Sequence, residues 1–489
     1  MKTNRRSFFK IAGAAGAGVL AGSSLSSCTT GEKSQQSGPF AAIKELADRS
    51  HSQLFNMSGF AAPKIDVVRV GVIGLGSRGP GAVERLAKID GLEIKALCDK
   101  LPDRVEKAQG ILAKNGLPAA KGYTGSTEVW KELCQSNELD LVYITTPWSL
   151  HATMAVYAME NGKHAASEVP ACTTLEEAWQ LVETSEKTKK HCMMLENCCY
   201  DFFELLTLNM ARQGFFGEIL HVEGAYIHDL LKSNFSKDAY VDMWRLKENQ
   251  HRIGSLYPTH GLGPVSQALN INRGDRMDYL TSVSTNDFQM AVTAEELASK
   301  DDFYKEFVTK GYRGNMNTTV IRTEKGKTIM IQHDVTSPRP YSRIHLVSGT
   351  KGVAVKYPEP GRIATSHEWF EEAKMKELET QYTPEIVKRI GELAKQIGGH
   401  GGMDFMMDWR LIDCLRNGIP LDQDVYDGAL WSSVAPLSEW SVANRSNSIT
   451  VPDFTCGSYK SNTPVDVTLS KGGNTGVRVN TKSGNQLTL

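Results

Sequence analysis

Residues 67–100 read VVRVGVIGLGSRGPGAVERLAKIDGLEIKALCDK, and this stretch decides the fold. Val68-Arg69-Val70-Gly71-Val72-Ile73 is a short apolar run ended by glycine, the mark of a buried parallel strand. Gly74, Gly76 and Gly79 follow in G-x-G-x-x-G spacing and turn the chain into a helix whose free N–H groups can hold a pyrophosphate. Ala82, Val83, Leu86 and Ala87 recur at helical spacing and give that helix a face to pack on the strand. A second strand, Leu92 to Cys98, delivers Asp99 at its carboxyl end, where a carboxylate bonds the adenosine ribose hydroxyls and repels a 2′-phosphate. A glycine triplet alone is a weak signal. Strand, glycines, helix, strand and terminal Asp together specify NAD and disfavour NADP.

The alternation continues outward from this unit. Helices are expected over Asp103 to Asn115 and Trp130 to Gln135, then a strand over Leu139 to Thr145 that ends in Thr146-Pro147-Trp148-Ser149-Leu150-His151. A helix to Asn161 leads to the strand Lys163 to Ser167, which closes in Glu168-Val169-Pro170. Helix Leu175 to Lys189 and strand His191 to Leu195 finish the series. Such β-α repetition predicts a doubly wound parallel sheet with right-handed crossovers, a Rossmann domain over residues 66–196. From Asn197 the pattern changes. After a helix at Phe202 to Gln213, segments at Ile219–Ile227, Tyr279–Thr285, Thr318–Thr323, Lys327–Asp334 and Arg343–Gly349 alternate apolar and polar residues. That pattern marks a mainly antiparallel open sheet with one wet face, so residues 197–445 are expected to form an α+β domain for substrate and oligomerisation, covering the nicotinamide end. Helical patterns return at Glu368 to Ile397 and Met403 to Asn417. A Ser/Thr/Gly-rich tail, 446–489, is expected to wrap the surface.

Composition sets outer limits. At 489 residues the chain exceeds one ordinary core, and 40% apolar with 23% charged residues is a globular composition. The net charge is −1, and the first thirty positions hold four basic residues and no acid, so the remainder carries −5. That balance argues against nucleic acid as a partner. Residues 1–30 are not read as fold: Thr3-Asn4-Arg5-Arg6-Ser7-Phe8-Phe9-Lys10 and the Ala/Gly run to Leu25 resemble a twin-arginine export signal. The run is too short and too glycine-rich to span a bilayer as a helix. Leu25-Ser26-Ser27-Cys28 resembles a lipobox, so a lipid on Cys28 is the one expected membrane attachment, with simple cleavage nearby as its alternative. The expected location is the periplasm or the envelope surface. Residues 31–65 read as a linker and a helical arm, Ala41 to Leu54.

Eight cysteines follow Cys28 without a CxxC pair, so neither a disulfide framework nor a zinc site is expected. His400-Gly401-Gly402-Met403-Asp404 could suggest a metal, but its glycines more simply mark a helix start near Asp404. No metal is expected there. Phe405, Met406, Met407, Trp409, Trp431 and Trp440 read as core or dimer packing, and a homo-oligomer is expected.

The Rossmann unit, Thr146-Pro147 with nearby His151, Glu168-x-Pro170 and a C-terminal sheet resemble the glucose–fructose oxidoreductase/inositol dehydrogenase superfamily. Most members carry Glu-Lys-Pro, whereas position 169 here is Val, a departure that counts against ordinary sugar dehydrogenation. Trp148-Ser149-Leu150-His151, Glu168-Val169, Glu196-Asn197-Cys198-Cys199-Tyr200, Trp244-Arg245, Tyr257-Pro258-Thr259-His260-Gly261 and Pro338-Arg339-Pro340-Tyr341 occur in that order and resemble glycoside hydrolase family 109, the NAD-dependent α-N-acetylgalactosaminidases. The resemblance implies that Ser77, Arg78, Asp99, Trp148, Ser149, Leu150, His151, Glu168, Val169, Asn197 and Tyr257 line NAD. It implies that Tyr226, Arg245, Tyr257, Pro258, Thr259, His260 and Tyr341 line a glycan ending in α-N-acetylgalactosamine. Glu168, Tyr200, Tyr257, His260 and Tyr341 would surround the reacting carbons.

It further implies oxidation at C3, elimination across C2 and C1, water addition and reduction, with net retention and NAD regenerated. Such a cycle needs tuned acids and bases rather than two flanking carboxylates, and His260 and Tyr200, then Tyr257, suit those roles. A planar, always charged Arg245 suits fixed hydrogen bonds to sugar oxygens. The alternatives on this scaffold are an NAD-dependent sugar or cyclitol dehydrogenase and a carbohydrate-binding protein that keeps NAD as a relic.

Overall fold

A computed structural model describes residues 40–481, except 310, and residues 484–488. The paired arginines, the lipobox cysteine and the linker to residue 38 lie outside the described residues. The first sheet is wholly parallel and contains β1 (Val68–Ile73), β2 (Leu92–Cys98), β3 (Lys121–Tyr123), β4 (Leu141–Ile144), β5 (His164–Ser167) and β6 (Cys192–Met194). Its order is β3-β2-β1-β4-β5-β6, the doubly wound arrangement expected from the sequence. β4 and β5 are buried along their whole length: crossover helix His151–Glu160 packs on them, and the C-terminal helix Met403–Asn417 reaches β4 through Asp408, which accepts the Tyr143 hydroxyl at 2.7 Å. Local chemistry fixes the other crossover helices: Pro102 opens Pro102–Lys114, and Thr174 and Glu177 close a reciprocal capping box on Leu175–Thr188. Strand order reverses between β1 and β4, which opens a crevice at their carboxyl ends.

The second sheet contains β7 (Ile219–Ile227), β8 (Met277–Ser284), β9 (Asn317–Thr323), β10 (Thr328–Asp334), β11 (Leu346–Gly349), β12 (Val353–Val355), β13 (Arg362–Ala364) and β14 (Ile449–Thr450). Their order is β13-β12-β11-β7-β10-β9-β8-β14. Neighbours run antiparallel except β7 and β10, whose parallel register sets Tyr226 beside His333. Helix Thr259–Ala268 lies directly on β7. A Cβ on Gly261 would stand 2.2 Å from the Ala225 amide nitrogen, and one on Gly224 would stand 2.3 Å from the Gly261 carbonyl oxygen. Only two glycines let these backbones meet, and their meeting seats His260 beside Tyr226.

Several sequence expectations need correction. The N-terminal arm is helical only over Ala41–Ala47. The long C-terminal helix divides into Glu372–Tyr382 and Glu385–Ile397 because Pro384 pushes Thr383 out of the helical region. Helices Thr259–Ala268 and Val425–Ala443 carry internal Pro264 and Pro436 and leave no continuous helical pattern in the sequence; the first of them puts His260 in its first turn. The tail does more than wrap: β14 joins the second sheet, and β15 (Val477–Thr481) pairs with β16 (Gly484–Thr488). The Trp409 indole N–H also donates to the Thr475 carbonyl at 2.9 Å. Phe405, Met406, Met407, Trp409, Trp431 and Trp440 are all buried within the chain. The eight described cysteines are free thiols, seven of them buried. Among the described residues no helix is long and apolar enough to cross a membrane.

Candidate active site

A cavity of about 560 Å³ opens at the carboxyl ends of the first sheet and extends under the second half of the chain. Gly74, Gly76, Ser77 and Arg78 line it from the turn after β1. Gly74 has φ +92°, and a Cβ on Gly79 would lie 2.2 Å from the Gly74 carbonyl oxygen, so both positions demand glycine. Asp99 is nearly buried at the end of β2. Its carboxylate accepts the Leu75 and Leu101 amides at 2.8 and 2.9 Å, and Arg104 lies 3.4 Å away. A glycine cradle with no room for a side chain, beside a strand-terminal carboxylate, fits the adenosine half of NAD.

Farther in, a charged network ties the glycine loop to the second half. Arg78 donates to Glu168 at 2.9 Å and to Asp404 at 3.3 Å. Asp404 also accepts from Asn197 at 2.5 Å and meets His400 Nδ1 at 2.9 Å. Burial alone would raise the Asp404 carboxyl, but the His400 hydrogen bond and the charges of Arg78 and Arg85 hold it well below the usual carboxylate range.

The inner wall is aromatic. Tyr257 stacks on Trp148 at 5.3 Å and 23°, and Tyr226 lies 4.8 Å from Tyr257. Burial pushes the Tyr257 hydroxyl well above its ordinary value and raises Tyr226, so both are neutral phenols. The Arg245 guanidinium stands 5.2 Å from the Trp148 ring and donates to the Tyr240 hydroxyl at 3.0 Å. Its Nη2 is buried without a hydrogen-bond partner, a donor available to a ligand oxygen. The His260 ring is 4.8 Å from Tyr257 and 5.4 Å from Tyr226, and its Nδ1 is 2.7 Å from Glu196 Oε1. Although burial opposes it, His260 holds the Glu196 carboxyl below its ordinary value.

Of the residues singled out in the sequence, Gly74, Gly76, Ser77, Arg78, Asp99, Trp148, Ser149, Leu150, His151, Glu168, Val169, Asn197, Tyr226, Arg245, Tyr257 and His260 share this cavity. His151 does so with its ring nitrogens 2.7 Å from the carbonyls of Pro170 and Thr146, and since burial favours the neutral ring its one N–H donates to one of them. Pro258 and Thr259 start the helix behind the wall. Tyr341 is 36% exposed and borders the site through His228 and Tyr226, at ring distances of 5.0 and 6.3 Å.

Tyr200 is a correction. Its buried hydroxyl donates to Asp422 at 3.2 Å, and Asp422 is bound by Arg410, so this tyrosine belongs to the packing behind the site and not to the cavity wall. Sequence reading missed Glu196, Tyr240 and Arg104 as site residues, whereas the segment from His400 to Asp404 was weighed for a place beside the substrate. Glu196 had one available signal, its place just after a parallel strand, the same rule that singled out Glu168. Glu196, Cys198 and His260 bring donor atoms within 4.8 Å of one another. Glu196 and His260 use theirs in a direct hydrogen bond, and burial drives the Cys198 thiol well above its ordinary value.

A glycine-cradled site at the switch point of a doubly wound sheet defines a NAD-binding Rossmann protein. Residues 68–196 match the family model described as "Oxidoreductase family, NAD-binding Rossmann fold". Solved structures with the same fold include myo-inositol dehydrogenase from Lactobacillus casei in complex with NAD(H) and myo-inositol, with 17% identity, TM-score 0.53, and coverage of 80% of this chain and 99% of that one. A levoglucosan dehydrogenase complexed with NADH and levoglucosan has 16% identity and TM-score 0.59, covering 79% and 100% of the respective chains.

Residues 200–461 match the model "Glycosyl hydrolase 109, C-terminal domain". A glycosyl hydrolase family 109 protein of Bacteroides fragilis is 48% identical over 457 residues, covering 90% of this chain and 96% of that protein. One from Porphyromonas gingivalis is 52% identical over 414 residues, covering 81% and 86%. The chain belongs to glycosyl hydrolase family 109, and it is a glycoside hydrolase with NAD as its cofactor.

Proposed function

We propose that the protein releases terminal α-N-acetylgalactosamine from glycans by oxidation at C3, elimination, water addition and reduction, with net retention at C1. The observation that carries this reading is the state of the two carboxylates that end β5 and follow β6. Glu168 is bound to Arg78 and Glu196 to His260, so neither stands free as one of the paired carboxylates of a conventional glycosidase. Val169, where most of the superfamily has lysine, and the family membership support the same reading.

Gly74, Gly76, Ser77, Arg78, Asp99 and Asn197 would hold NAD, which when bound supplies reversible oxidation at C3. Arg245 presents its unpaired Nη2 to a sugar oxygen, while Trp148 and Tyr257 supply the apolar surface against which a sugar ring packs. His260, with Nδ1 taken by Glu196, offers Nε2 to move a proton at the sugar, and Tyr257 is the next candidate for proton transfer. The paired-arginine leader supports export of the folded, NAD-loaded enzyme to the periplasm or envelope.

The test is anaerobic turnover of p-nitrophenyl α-N-acetylgalactosaminide in deuterated water without added NAD⁺, followed by NMR. Sugar release with deuterium at C2 and no net NADH is the expected result. Stoichiometric NADH without cleavage would make the protein a dehydrogenase. Cleavage without deuterium would make it a conventional hydrolase.

A further inference from the structure

Glu196 leaves the first sheet just after β6, whereas His260 sits in the first turn of the helix that rides on the second sheet. Their 2.7 Å contact therefore crosses from one half of the fold to the other, between residues 64 positions apart. The Glu196 side chain is 0% exposed, and among the described residues its only ion-pair partner is His260. Oε1 also accepts the Cys198 amide at 3.2 Å, and the buried Thr259 hydroxyl beside the carboxylate helps to hold it ionised. An isolated buried carboxylate is costly, so this one is stable as an anion only with a proton donor against it. Its position is rigid: the Glu196 amide donates to the Met194 carbonyl at 2.8 Å, and Gln423 donates to the Glu196 carbonyl at 3.0 Å. From above, a Cβ on Gly263 would come within 2.9 Å of Glu196 Cγ, so the helix bearing His260 packs directly on the carboxylate stem.

We propose that Glu196 is a positioning residue for His260, fixing the imidazole with its proton on Nδ1 and its lone pair on Nε2 toward the sugar. This rests on the acid/base role given to His260 above. When Nε2 takes a proton from the substrate, the Nδ1 proton stays on the ring and Glu196 stays ionised, so the carboxylate stabilises the imidazolium across one hydrogen bond. Nε2 gives its proton back when the sugar is reprotonated later in the cycle, and the dyad returns to its starting state. A purely structural cross-tie between the two halves would need none of this polarity.

The test compares the NAD-loaded wild type with Glu196→Gln and Glu196→Asp, using p-nitrophenyl α-N-acetylgalactosaminide. Glu196→Gln is expected to lower kcat by about 10²–10⁴-fold while KM and NAD content change by less than roughly threefold. Glu196→Asp, which restores the charge, is expected to recover at least ~10-fold of that loss. A Glu196→Gln enzyme with kcat within about threefold of wild type overturns the proposal, and so does one that loses NAD and stability while its loaded fraction turns over normally. Nitrogen-15 NMR of the wild type supplies a readout that needs no variant to fold and no substrate, with His260 assigned by its loss in His260→Asn. A protonated Nδ1 and a bare Nε2 are expected. A proton fixed on Nε2 overturns the dyad. Should the wild type release no N-acetylgalactosamine, the glycosidase reading fails, and the tautomer measurement still decides the role of Glu196.

Discussion

Gly261→Ala probes how the site is assembled without touching a group that handles protons. The added methyl would sit 2.2 Å from the Ala225 amide nitrogen, with further backbone atoms of Gly224 and Ala225 at 2.7 and 2.9 Å. Carbon contacts settle near 3.5–4.0 Å, so helix Thr259–Ala268 must lift from β7 by about 1 Å or more, and neither backbone can turn aside as a side chain could. Overpacking of this kind costs about 1–3 kcal/mol of stability. The larger effect falls on geometry, because His260 rides on the displaced turn while Tyr226 stays with the sheet. A shift near 1 Å at a catalytic group costs about 10²-fold in rate. Steady-state hydrolysis of the p-nitrophenyl glycoside, with NAD content and a denaturant melt on the same sample, measures all three quantities. Gly110→Ala is the control: it lies within helix Pro102–Lys114 with nothing within 4 Å of its Cβ, and should be neutral or stabilising by about 0.5–1 kcal/mol. Gly261→Ala with kcat within threefold of wild type and an unchanged melt would refute the claim that backbone contact seats His260.

Arg245→Met keeps the packing stem but removes the unpaired Nη2, so kcat/KM should fall about 10–100-fold with NAD retained; an unchanged kcat/KM would exclude Arg245 from sugar binding. Tyr200→Phe should stay within about threefold of wild-type activity and lose roughly 1 kcal/mol with its bond to Asp422, whereas a 100-fold loss would restore this tyrosine to the chemistry. Asp404→Asn leaves Arg78, Arg85 and His400 short of an anion and should cost about 3–5 kcal/mol at neutral pH. Its folded-state carboxyl is held below the unfolded value, so the contribution is full above about pH 4 and drains away as pH falls below that. Acid titration of the melting midpoint should therefore show the gap between wild type and variant begin to narrow near pH 4 and shrink progressively as the pH falls further. A constant gap would place the stabilisation elsewhere.

What the sequence disclosed depended on how local the chemistry was. Gly74, Gly79 and Asp99 act through the backbone turn and strand end on which they stand, so spacing alone located them. His260 and Arg245 surfaced through short motifs, although the helix under His260 carries Pro264 and leaves no continuous helical pattern. Tyr200 was misread because its partner, Asp422, stands 222 positions later and nothing beside the tyrosine reveals it. Asp404 is 326 positions from Arg78, and Glu196 acquires meaning only once a second sheet brings His260 against it. Charge pairs formed across the whole chain leave no periodicity behind. The second sheet followed its alternating pattern, but the parallel pairing of β7 with β10 depends on topology and carries no such signature.

That parallel pairing also orders events in time. Strands β1 to β6 are consecutive in the chain, so the parallel sheet and its glycine turn can begin to form once residue 194 has been synthesised, although Asp408 reaches Arg85 and Tyr143 only from the C-terminal half. β7 must wait: His221 meets Thr328 across 107 positions, and the wall that carries Tyr226 stays open until β10 emerges. Last comes the tail, whose Val477 bridges to Ile89 and whose Arg478 reaches Asp90 across 388 positions. Translation thus offers the nascent chain a cofactor cradle well before it offers a sugar pocket, and the final residues draw the far end of the polypeptide back to the helix that follows the glycine turn.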